Sequence, residues 1–156
     1  ALRAGLSGVE LKELDLAYAP PYSSAKDPVN MAGFMIENLM LGLVKQYGLE
    51  ELAALPRDGS VTLLDVRTPE EYAQGHIPGF VNIPVDVLRE RLGEIAPGKP
   101  VYVMCQSGLR SYLACRILTA HGYDAWNFAG GYRYYETVTQ DRRLIEQAFS
   151  CGMDRG

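Results

Sequence analysis

Short apolar runs separated by segments of helical periodicity fill the chain from residue 61 onward. Four of these runs are brief and contain β-branched or aromatic residues, which predicts buried strands. They cover residues 61–65, 80–83, 101–104 and 125–128. Strands that alternate with helices favour an α/β sandwich with a mostly parallel sheet. Because ligands of such sheets bind beyond the carboxyl ends of the strands, we expect the functional site at that edge.

Start and stop signals mark the helices between these strands. Thr68, Pro69 and Glu71 form a capping box with proline at the first helical position, and Gly75 ends that short helix. Gly122 is the expected left-handed cap of a later helix. Further helices are predicted over residues 86–92, 111–121 and 141–149, and a Gly130-Gly131 turn leads into residues 132–138.

A longer helix is predicted before the first strand. Asp27 is its expected N-cap, Pro28 its first residue and Gly48 its stop. The apolar positions between them recur at helical spacing and give a methionine-rich face. They are Met31, Met35, Ile36, Leu39, Met40, Leu43 and Val44. This amphipathic helix must pack its apolar face on the downstream core or on a partner.

Two segments interrupt both periodicities and suggest how the chain divides. Residues 18–24 contain adjacent prolines, which remove donors and fix φ, so we expect an extended connector. Residues 55–60 combine proline, glycine and charge, which marks a boundary. We expect three parts. They are residues 1–50 (connector and helix), 51–140 (the α/β domain) and 141–156 (a closing helix and tail).

Composition and charge exclude several classes of function. The 156 residues are 47% hydrophobic, enough for one principal core. The net charge is −4 and the 15 basic residues are scattered, so nucleic acid is not an expected partner. No apolar run reaches the roughly 18 residues of a membrane span. Three cysteines without a CxxC pair favour a reducing cytoplasm, and two histidines argue against a zinc site.

The candidate chemistry follows the third predicted strand. Cys105 opens a short loop that contains Gly108, and Arg110 and Ser111 lie where the next helix begins. Backbone N–H groups at a helix start lack carbonyl partners and lie at the positive end of the helix dipole. Such a loop favours an anion, and the thiolate is the reactive form of cysteine. Cys105 is therefore the predicted nucleophile rather than an inert core thiol.

Four motifs follow one another along the chain. They are residues 64–72 (LDVRTPEEY), 75–84 (GHIPGFVNIP), 105–111 (CQSGLRS) and 130–132 (GGY). Together they resemble single-domain rhodaneses, which are sulfurtransferases. The resemblance implies a rhodanese-like three-layer sandwich. It also implies that Cys105 attacks a sulfane sulfur, becomes a persulfide held by the loop amides, and passes the outer sulfur to a nucleophilic acceptor. No metal or organic cofactor is implied in this chain.

The expected site surrounds this thiolate. Cys105 is the catalytic residue, and Arg110 is expected to hold the anionic donor and favour the thiolate. Ser111 either donates to the sulfur or only caps the helix. The residues expected to bind substrate are Gln106, Ser107, Gly108, Leu109, Arg110 and Ser111. In rhodanese-like domains the positions of Asp65 and Arg67 support the loop through ionic and backbone contacts.

Two other interpretations remain open. Thiolate-based phosphatases and arsenate reductases also use a cysteine and an arginine, but their loop encloses five residues, whereas four separate Cys105 from Arg110. The shorter ring suits a single sulfur. A non-catalytic rhodanese-like interaction module is the second alternative, and the presence of the nucleophile argues against it. Cys115 and Cys151 are expected to be bystanders, and only Cys151, in the tail, is a secondary candidate for a persulfide acceptor.

The first fifty residues carry a second resemblance. Residues 14–33 (LDLAYAPPYSSAKDPVNMAG) are similar to the end of the dimerisation domain of flavin-dependent coenzyme A disulfide reductases and related NADH oxidases. Some of those enzymes carry a C-terminal rhodanese domain. The chain begins at Ala1 and has no GxGxxG after a strand, so we expect a fragment of a larger protein. Residues 1–50 are then a remnant of the dimerisation domain, and residues 51–140 are the rhodanese domain.

This second resemblance also implies cofactors and partners. By this resemblance we expect the parent protein to reduce coenzyme A disulfide, persulfide or polysulfide, and to bind FAD, NAD(P)H and coenzyme A outside this chain. We expect this chain to take sulfur from polysulfide, persulfide or thiosulfate, to give it to a thiol, and to form a homodimer through its N-terminal segment. Tyr18 and Tyr22 are expected at an interface or, as the alternative, near the reductase site. The uncharged loop interior favours polysulfide or persulfide over dianionic thiosulfate.

Overall fold

The computed structural model of the chain describes residues 2–16 and 27–150. It divides into two compact units, Ala1–Lys45 and Gln46–Gly156. The expectations for Tyr18, Tyr22, Cys151 and the extended connector fall outside the described residues. Within the described part of the chain, every helix is too short or too polar to cross a membrane.

The first unit contains helix α1, Pro28–Met40, and a 3-10 helix, Val9–Glu13, that packs on it. The Asp27 carboxylate accepts the Val29 N–H at 2.8 Å, which confirms the predicted cap. Gly33 is where the two helices meet, since a Cβ there would collide with the backbone of Lys12.

Helix α1 ends at Met40, so the prediction of one long helix to Gly48 is wrong. Gly42 adopts a φ of +64°, and the Leu43 N–H donates to the Asn38 carbonyl at 2.9 Å. This left-handed glycine forms a Schellman-type cap, which satisfies the last carbonyls and stops the helix. Several apolar side chains of α1 and its end are exposed. They are Val29, Met31, Met35, Leu39, Met40 and Leu41.

A five-stranded sheet organises the second unit. Its strands are β1 (Lys45–Tyr47), β2 (Thr62–Asp65), β3 (Val81–Asn82), β4 (Val101–Met104) and β5 (Ala125–Phe128), in the order β1-β5-β4-β2-β3. Strand β2 pairs in parallel with β3 and β4, and β4 pairs in parallel with β5. The predicted α/β class with a mostly parallel sheet is confirmed. Strand β1 carries no strong sequence signal and is a missed element.

Four helices accompany this sheet. They are α2 (Leu49–Ala54), α3 (Pro69–Gln74), α4 (Leu109–Ala120) and α5 (Gly131–Ser150). Helix α3 starts as predicted, because Thr68 and Glu71 cap each other's backbone N–H groups. Helix α4 packs on β4 and β5. Helix α2 is a second missed element. It is capped by Glu51, whose carboxylate accepts the Gly48 N–H at 2.6 Å.

Two other helix predictions need correction. Residues 86–92 form no α-helix and lie within a segment that holds two 3-10 helices, Val85–Val87 and Leu92–Glu94. The Tyr123 hydroxyl lies 3.1 Å from the Leu92 carbonyl and 3.2 Å from the Ile95 carbonyl at the end of this segment. The closing helix does not begin at residue 141, since α5 runs unbroken from Gly131. The Thr137 hydroxyl donates to the Arg133 carbonyl at 2.9 Å, four residues back, which is how a threonine inside a helix satisfies its hydroxyl.

Strands β2 and β4 are neighbours in the sheet, and their carboxyl ends lie side by side. Asp65 at the end of β2 is in register with Met104 at the end of β4. Cys105 and the 65–67 segment therefore leave the sheet side by side. The buried apolar cluster beneath them contains Tyr47, Leu52, Leu63, Ile77, Phe80, Met104 and Phe128.

Candidate active site

The Cys105 side chain lies at the bottom of a tight turn between β4 and α4. The residue is 1% exposed. Gly108 adopts a φ of +111°, a conformation that favours glycine, and α4 begins at the next residue. The turn thus brings the sulfur beneath the first amides of α4, where the helix dipole is positive.

Two donors contact the sulfur directly. The Gly108 N–H lies 3.1 Å from Cys105 Sγ, and the Ser111 Oγ lies 3.2 Å from it. Ser111 is completely buried, and its hydroxyl also lies 3.1 Å from the Gly108 carbonyl. A hydroxyl has one proton, so it can donate fully to only one of these acceptors. The site can therefore direct an N–H and an O–H toward a negative sulfur.

Helix α5 holds the carbonyl side of the same turn. The Tyr132 N–H donates to the Cys105 carbonyl at 2.8 Å, and the Arg133 N–H donates to the Gln106 carbonyl at 3.2 Å. Gly131 permits this approach. A Cβ at that position would lie 2.6 Å from the Gln106 oxygen and 2.7 Å from the Cys105 oxygen. The turn is thus fixed between the starts of two helices.

Asp65 and Arg67 form a buried ion pair beside the turn. Arg67 Nη2 lies 2.8 Å from Asp65 Oδ2, and their side chains are 2% and 0% exposed. Arg67 Nε bonds both carboxylate oxygens at 3.1 Å. Asn82 donates to the Asp65 and Arg67 carbonyls from β3, at 3.0 Å and 2.9 Å. The bonds between the two side chains pair the buried charges within the protein, and the Asn82 bonds hold the backbone that carries them.

Arg67 connects this ion pair to the turn. Its Nη1 donates to Gln106 Oε1 at 3.2 Å, and its Nη2 donates to the Gly75 carbonyl at 2.7 Å. The guanidinium also lies over the Tyr132 ring. The position of Arg67 therefore agrees with the supporting role predicted for it, although only substitution tests that role.

Arg110 is paired with a residue that the sequence analysis assigned only to a helix cap. Its Nη1 and Nη2 lie 2.6 Å and 2.7 Å from the two Glu71 carboxylate oxygens. The side-chain bond to Arg110 is the main cause that lowers the pKa of Glu71 to about 2. The same bond to Glu71 raises the pKa of Arg110, and the charge of Cys105 contributes to that rise. The Arg110 guanidinium is therefore already bound to a carboxylate.

The other residues expected to bind substrate differ in exposure. Gln106 is half-buried, while Ser107 and Leu109 are exposed, Leu109 to 64%. Cys115 is buried in α4, and burial raises its pKa to about 12, so its thiol is not ionised at neutral pH. Within the described residues, no three His, Cys, Asp or Glu side chains form a metal-binding group.

The structure adds residues that the sequence analysis did not place in the site. Tyr132 and Gly131 were recognised only as a motif, and Glu71 only as a cap. Gly75 and Asn82 lay within quoted motifs, but their bonds to the 65–67 segment depend on tertiary contacts. The spacing of Thr68 and Glu71 was the available signal for Glu71, since it places that carboxylate at the start of α3 next to β2.

Comparison with known proteins connects this geometry to a family. Residues 48–137, more than half of the chain, match the rhodanese-like domain. A sulfurtransferase from Allochromatium vinosum is 43% identical over 72 residues, which cover 46% of this chain and 67% of that protein.

Two solved structures resemble a larger part of the chain. The structure of reduced Bacillus anthracis CoADR-RHD matches with a TM-score of 0.84 and 45% identity, over 90% of this chain and 25% of that one. A NAD-dependent persulfide reductase from A. fulgidus matches with a TM-score of 0.72 and 39% identity, over 83% of this chain and 23% of that one. The chain spans about a quarter of the length of these two solved proteins.

Proposed function

The chain belongs to the rhodanese-like domain family, and on that premise we propose that it is a sulfurtransferase that carries sulfane sulfur as a persulfide on Cys105. The observation that carries this proposal is the position of Sγ, between the Gly108 N–H and the Ser111 hydroxyl at the start of α4. The function class predicted from the sequence agrees with the family and with the A. vinosum relative.

The proposed reaction has two displacement steps. The Cys105 thiolate attacks the outer sulfur of the donor, a new S–S bond forms, and the donor's own bond to that sulfur breaks as its electron pair leaves with the rest of the donor. The acceptor thiolate then attacks the outer sulfur of the Cys105 persulfide. Cys105 departs as a thiolate and is ready for the next donor.

The turn suits the charge that moves during these steps. Negative charge is on Sγ at the start and on the outer sulfur of the persulfide afterwards. N–H and O–H donors that are already oriented stabilise such charge without a cost of reorganisation. The proposed roles are those expected from the sequence, except that the Arg110 guanidinium is bound to Glu71 and is not free to hold the donor. Cys105 is catalytic, Asp65 and Arg67 support the turn, and the turn formed by residues 106–111 surrounds the donor.

The rival thiolate chemistries have less support in this geometry. A phosphatase or arsenate reductase needs its arginine to bind a tetrahedral oxyanion, whereas Arg110 is bound through both terminal nitrogens to Glu71. A non-catalytic interaction module has no need for a cysteine with two donors on its sulfur. We retain both only as outcomes of the experiment below.

We assign the chain to a larger reductase. The two solved proteins that resemble it over 83–90% of its length are each about four times longer. The exposed apolar side chains of α1 agree with a surface that is covered in the parent protein or in a homodimer. The parent we propose acts on coenzyme A disulfide, persulfide or polysulfide with FAD, NAD(P)H and coenzyme A. None of the described strands leads into a GxGxxG turn, so these sites belong to the rest of that protein.

The sequence analysis places the domain boundary at residue 50, with a rhodanese domain over residues 51–140, but strand β1 (Lys45–Tyr47) belongs to the sheet and Tyr47 to its core. We therefore propose that residues 1–45 are the end of the dimerisation domain, that the rhodanese domain begins at residue 46, and that residues 141–156 close the chain. Limited proteolysis followed by refolding of residues 46–156, the second compact unit, tests whether the rhodanese part folds alone.

Intact mass spectrometry tests the proposed chemistry. The chain is incubated with polysulfide, a thiol persulfide or thiosulfate, and its mass is measured before and after dithiothreitol. We expect a gain of one sulfur atom that dithiothreitol removes and that Cys105→Ser prevents. Hydrolysis of a phosphate ester without any sulfur gain would support the phosphatase alternative, and neither activity would support the interaction module.

A further inference from the structure

Glu71, in helix α3, binds Arg110 in the first turn of α4, and the reaction described above gives Glu71 no role. Its two carboxylate oxygens bind the two terminal nitrogens of Arg110, and the side chains are 30% and 32% exposed. We propose that Glu71 is a positioning residue that holds Arg110, cancels its charge, and makes the site favour singly charged sulfur donors over dianionic ones. This inference rests on the proposed sulfurtransferase function and concerns its donor specificity.

Glu71 is held in place by a second set of bonds. Its Oε2 accepts the Thr68 N–H at 2.9 Å, and its own N–H donates to Thr68 Oγ1 at 3.3 Å. Both carboxylate oxygens are therefore bound, one to Arg110 and the other to Arg110 and Thr68. Rotating the carboxylate away to free Arg110 would break the capping box at the start of α3. The ion pair is thus fixed by the fold and is not a passing surface contact.

The electrostatic balance near the sulfur follows from these bonds. Arg67 is neutralised by Asp65, and Arg110 is neutralised by Glu71. The charge of the Cys105 thiolate then has no opposing full charge among these residues, and residues 106–109 are uncharged. An approaching dianion is repelled about twice as strongly as a monoanion, because the interaction energy is proportional to the donor's charge.

Thiosulfate and methanethiosulfonate are sulfur donors of the same chemical kind that differ in charge. Comparing them separates the effect of the donor's charge from its chemical reactivity. Thiosulfate is a dianion, and the thiolate takes its outer sulfur and releases sulfite with the electron pair of the broken S–S bond. Methanethiosulfonate is a monoanion, and the same attack releases methanesulfinate. Each reaction forms the Cys105 persulfide, and neither requires a further oxidant or reductant.

The variant Glu71→Gln removes the charge and keeps the cap, since glutamine serves at this position of a capping box. We expect kcat/KM for thiosulfate to rise about tenfold and that for methanethiosulfonate about threefold, the effect of one unit charge on a dianion and on a monoanion across partly exposed protein. The thiosulfate to methanethiosulfonate ratio then rises about threefold, and the rise shrinks as added salt screens the charges.

Glu70→Gln is the matched control. Glu70 is exposed on the same turn of α3, so its substitution changes the net charge equally. In this variant Arg110 keeps Glu71 as its partner. We therefore expect the ratio of kcat/KM for thiosulfate to that for methanethiosulfonate to stay at the wild-type value. A merely structural role for Glu71 would lower kcat/KM for both donors by one common factor and leave the ratio unchanged.

The outcomes are separable. If the wild-type chain forms no persulfide with either donor, the proposed function is wrong. If it forms one with both donors, and Glu71→Gln leaves their ratio unchanged or lowers it, the function stands and the role of Glu71 is wrong. A threefold rise in the ratio that is absent from Glu70→Gln supports the inference.

Discussion

The guanidinium of Arg67 lies 4.0 Å from the centre of the Tyr132 ring. This contact joins the segment after β2 to the start of α5, whose first N–H groups bind the carbonyls of the cysteine turn. The turn is therefore held by Arg67 through Gln106 on one side and by α5 on the other. This arrangement leaves the Cys105 sulfur directed toward the start of α4, where the Gly108 N–H and the Ser111 hydroxyl lie.

The buried ion pair is expected to be essential for stability. Arg67→Met leaves Asp65 charged and unpaired, and we expect a loss of about 3–5 kcal/mol of unfolding free energy, the usual cost of breaking a buried pair. Asp65→Asn combined with Arg67→Met removes both charges and is expected to cost less than Arg67→Met alone. Urea unfolding of the single and double variants measures this coupling. If the double variant loses as much unfolding free energy as Asp65→Asn and Arg67→Met lose together, this coupling is contradicted.

Gly131 is expected to tolerate no side chain. Gly131→Ala places a Cβ against the Cys105 and Gln106 carbonyls, so we expect the turn to shift and sulfur transfer to fall together with stability. Gly122→Ala is the control, because Gly122 also has a positive φ, +83°, but nothing lies within 4 Å of its Cβ position. That variant is expected to cost about 1–2 kcal/mol and to keep its activity. Equal activity losses in the two variants would argue against a role for the close approach.

Ser111 is expected to act on the sulfur rather than only on the helix. Ser111→Ala removes the O–H donor 3.2 Å from Sγ, and we expect kcat for donor cleavage to fall about tenfold, equivalent to about 1.4 kcal/mol, with KM little changed. The Gly108 carbonyl keeps the Tyr112 N–H at 3.0 Å, so only a small change in melting temperature is expected. A lower melting temperature with unchanged kcat would show that Ser111 is only a cap.

The ion pair between Glu71 and Arg110 predicts a pH dependence of stability. The pKa of Glu71 falls from 4.5 to about 2 in the folded chain, so its contribution is complete above pH 4.5 and is lost as the pH falls toward 2. Urea unfolding at several pH values compares the wild-type chain with Glu71→Gln. We expect a stability difference that is constant above pH 5 and shrinks below it, and a difference independent of pH would contradict the assignment.

Much of the fold follows from local signals in the sequence. The Thr68-Pro69-Glu71 and Asp27-Pro28 caps set helix starts that the structure confirms. Strand β1 is not predictable from the sequence because Lys45–Tyr47 is too short to show alternation, and helix α2, Leu49–Ala54, is too short to show helical periodicity. The position of β1 in the sheet is a tertiary feature. Its pairing depends on the distant Ala129 N–H, which donates to the Tyr47 carbonyl. Gly42, rather than Gly48, is the stop signal of α1 in the sequence, since it adopts the left-handed conformation that ends this helix.

In the site, too, some features follow from neighbouring residues in the sequence, and others depend on contacts between distant segments. The Cys105 turn follows from a strand that leads through glycine into a helix, and the adjacency of β2 explains Asp65 and Arg67. The bond between Glu71 and Arg110 was not predictable from spacing, because it joins two helices through their tertiary positions. The need for glycine at Gly131 likewise appears only once α5 is placed against the turn.

The path of a labelled sulfur atom tests the central claim most directly. The chain is loaded with thiosulfate or polysulfide labelled in the transferable sulfur, the label is located by peptide mass mapping, and a thiol acceptor is then added. The account predicts one labelled sulfur on the Cys105 peptide, and its quantitative movement to the acceptor in a single turnover. A label on the Cys115 or Cys151 peptide, or one that stays on Cys105 after the thiol is added, would contradict it.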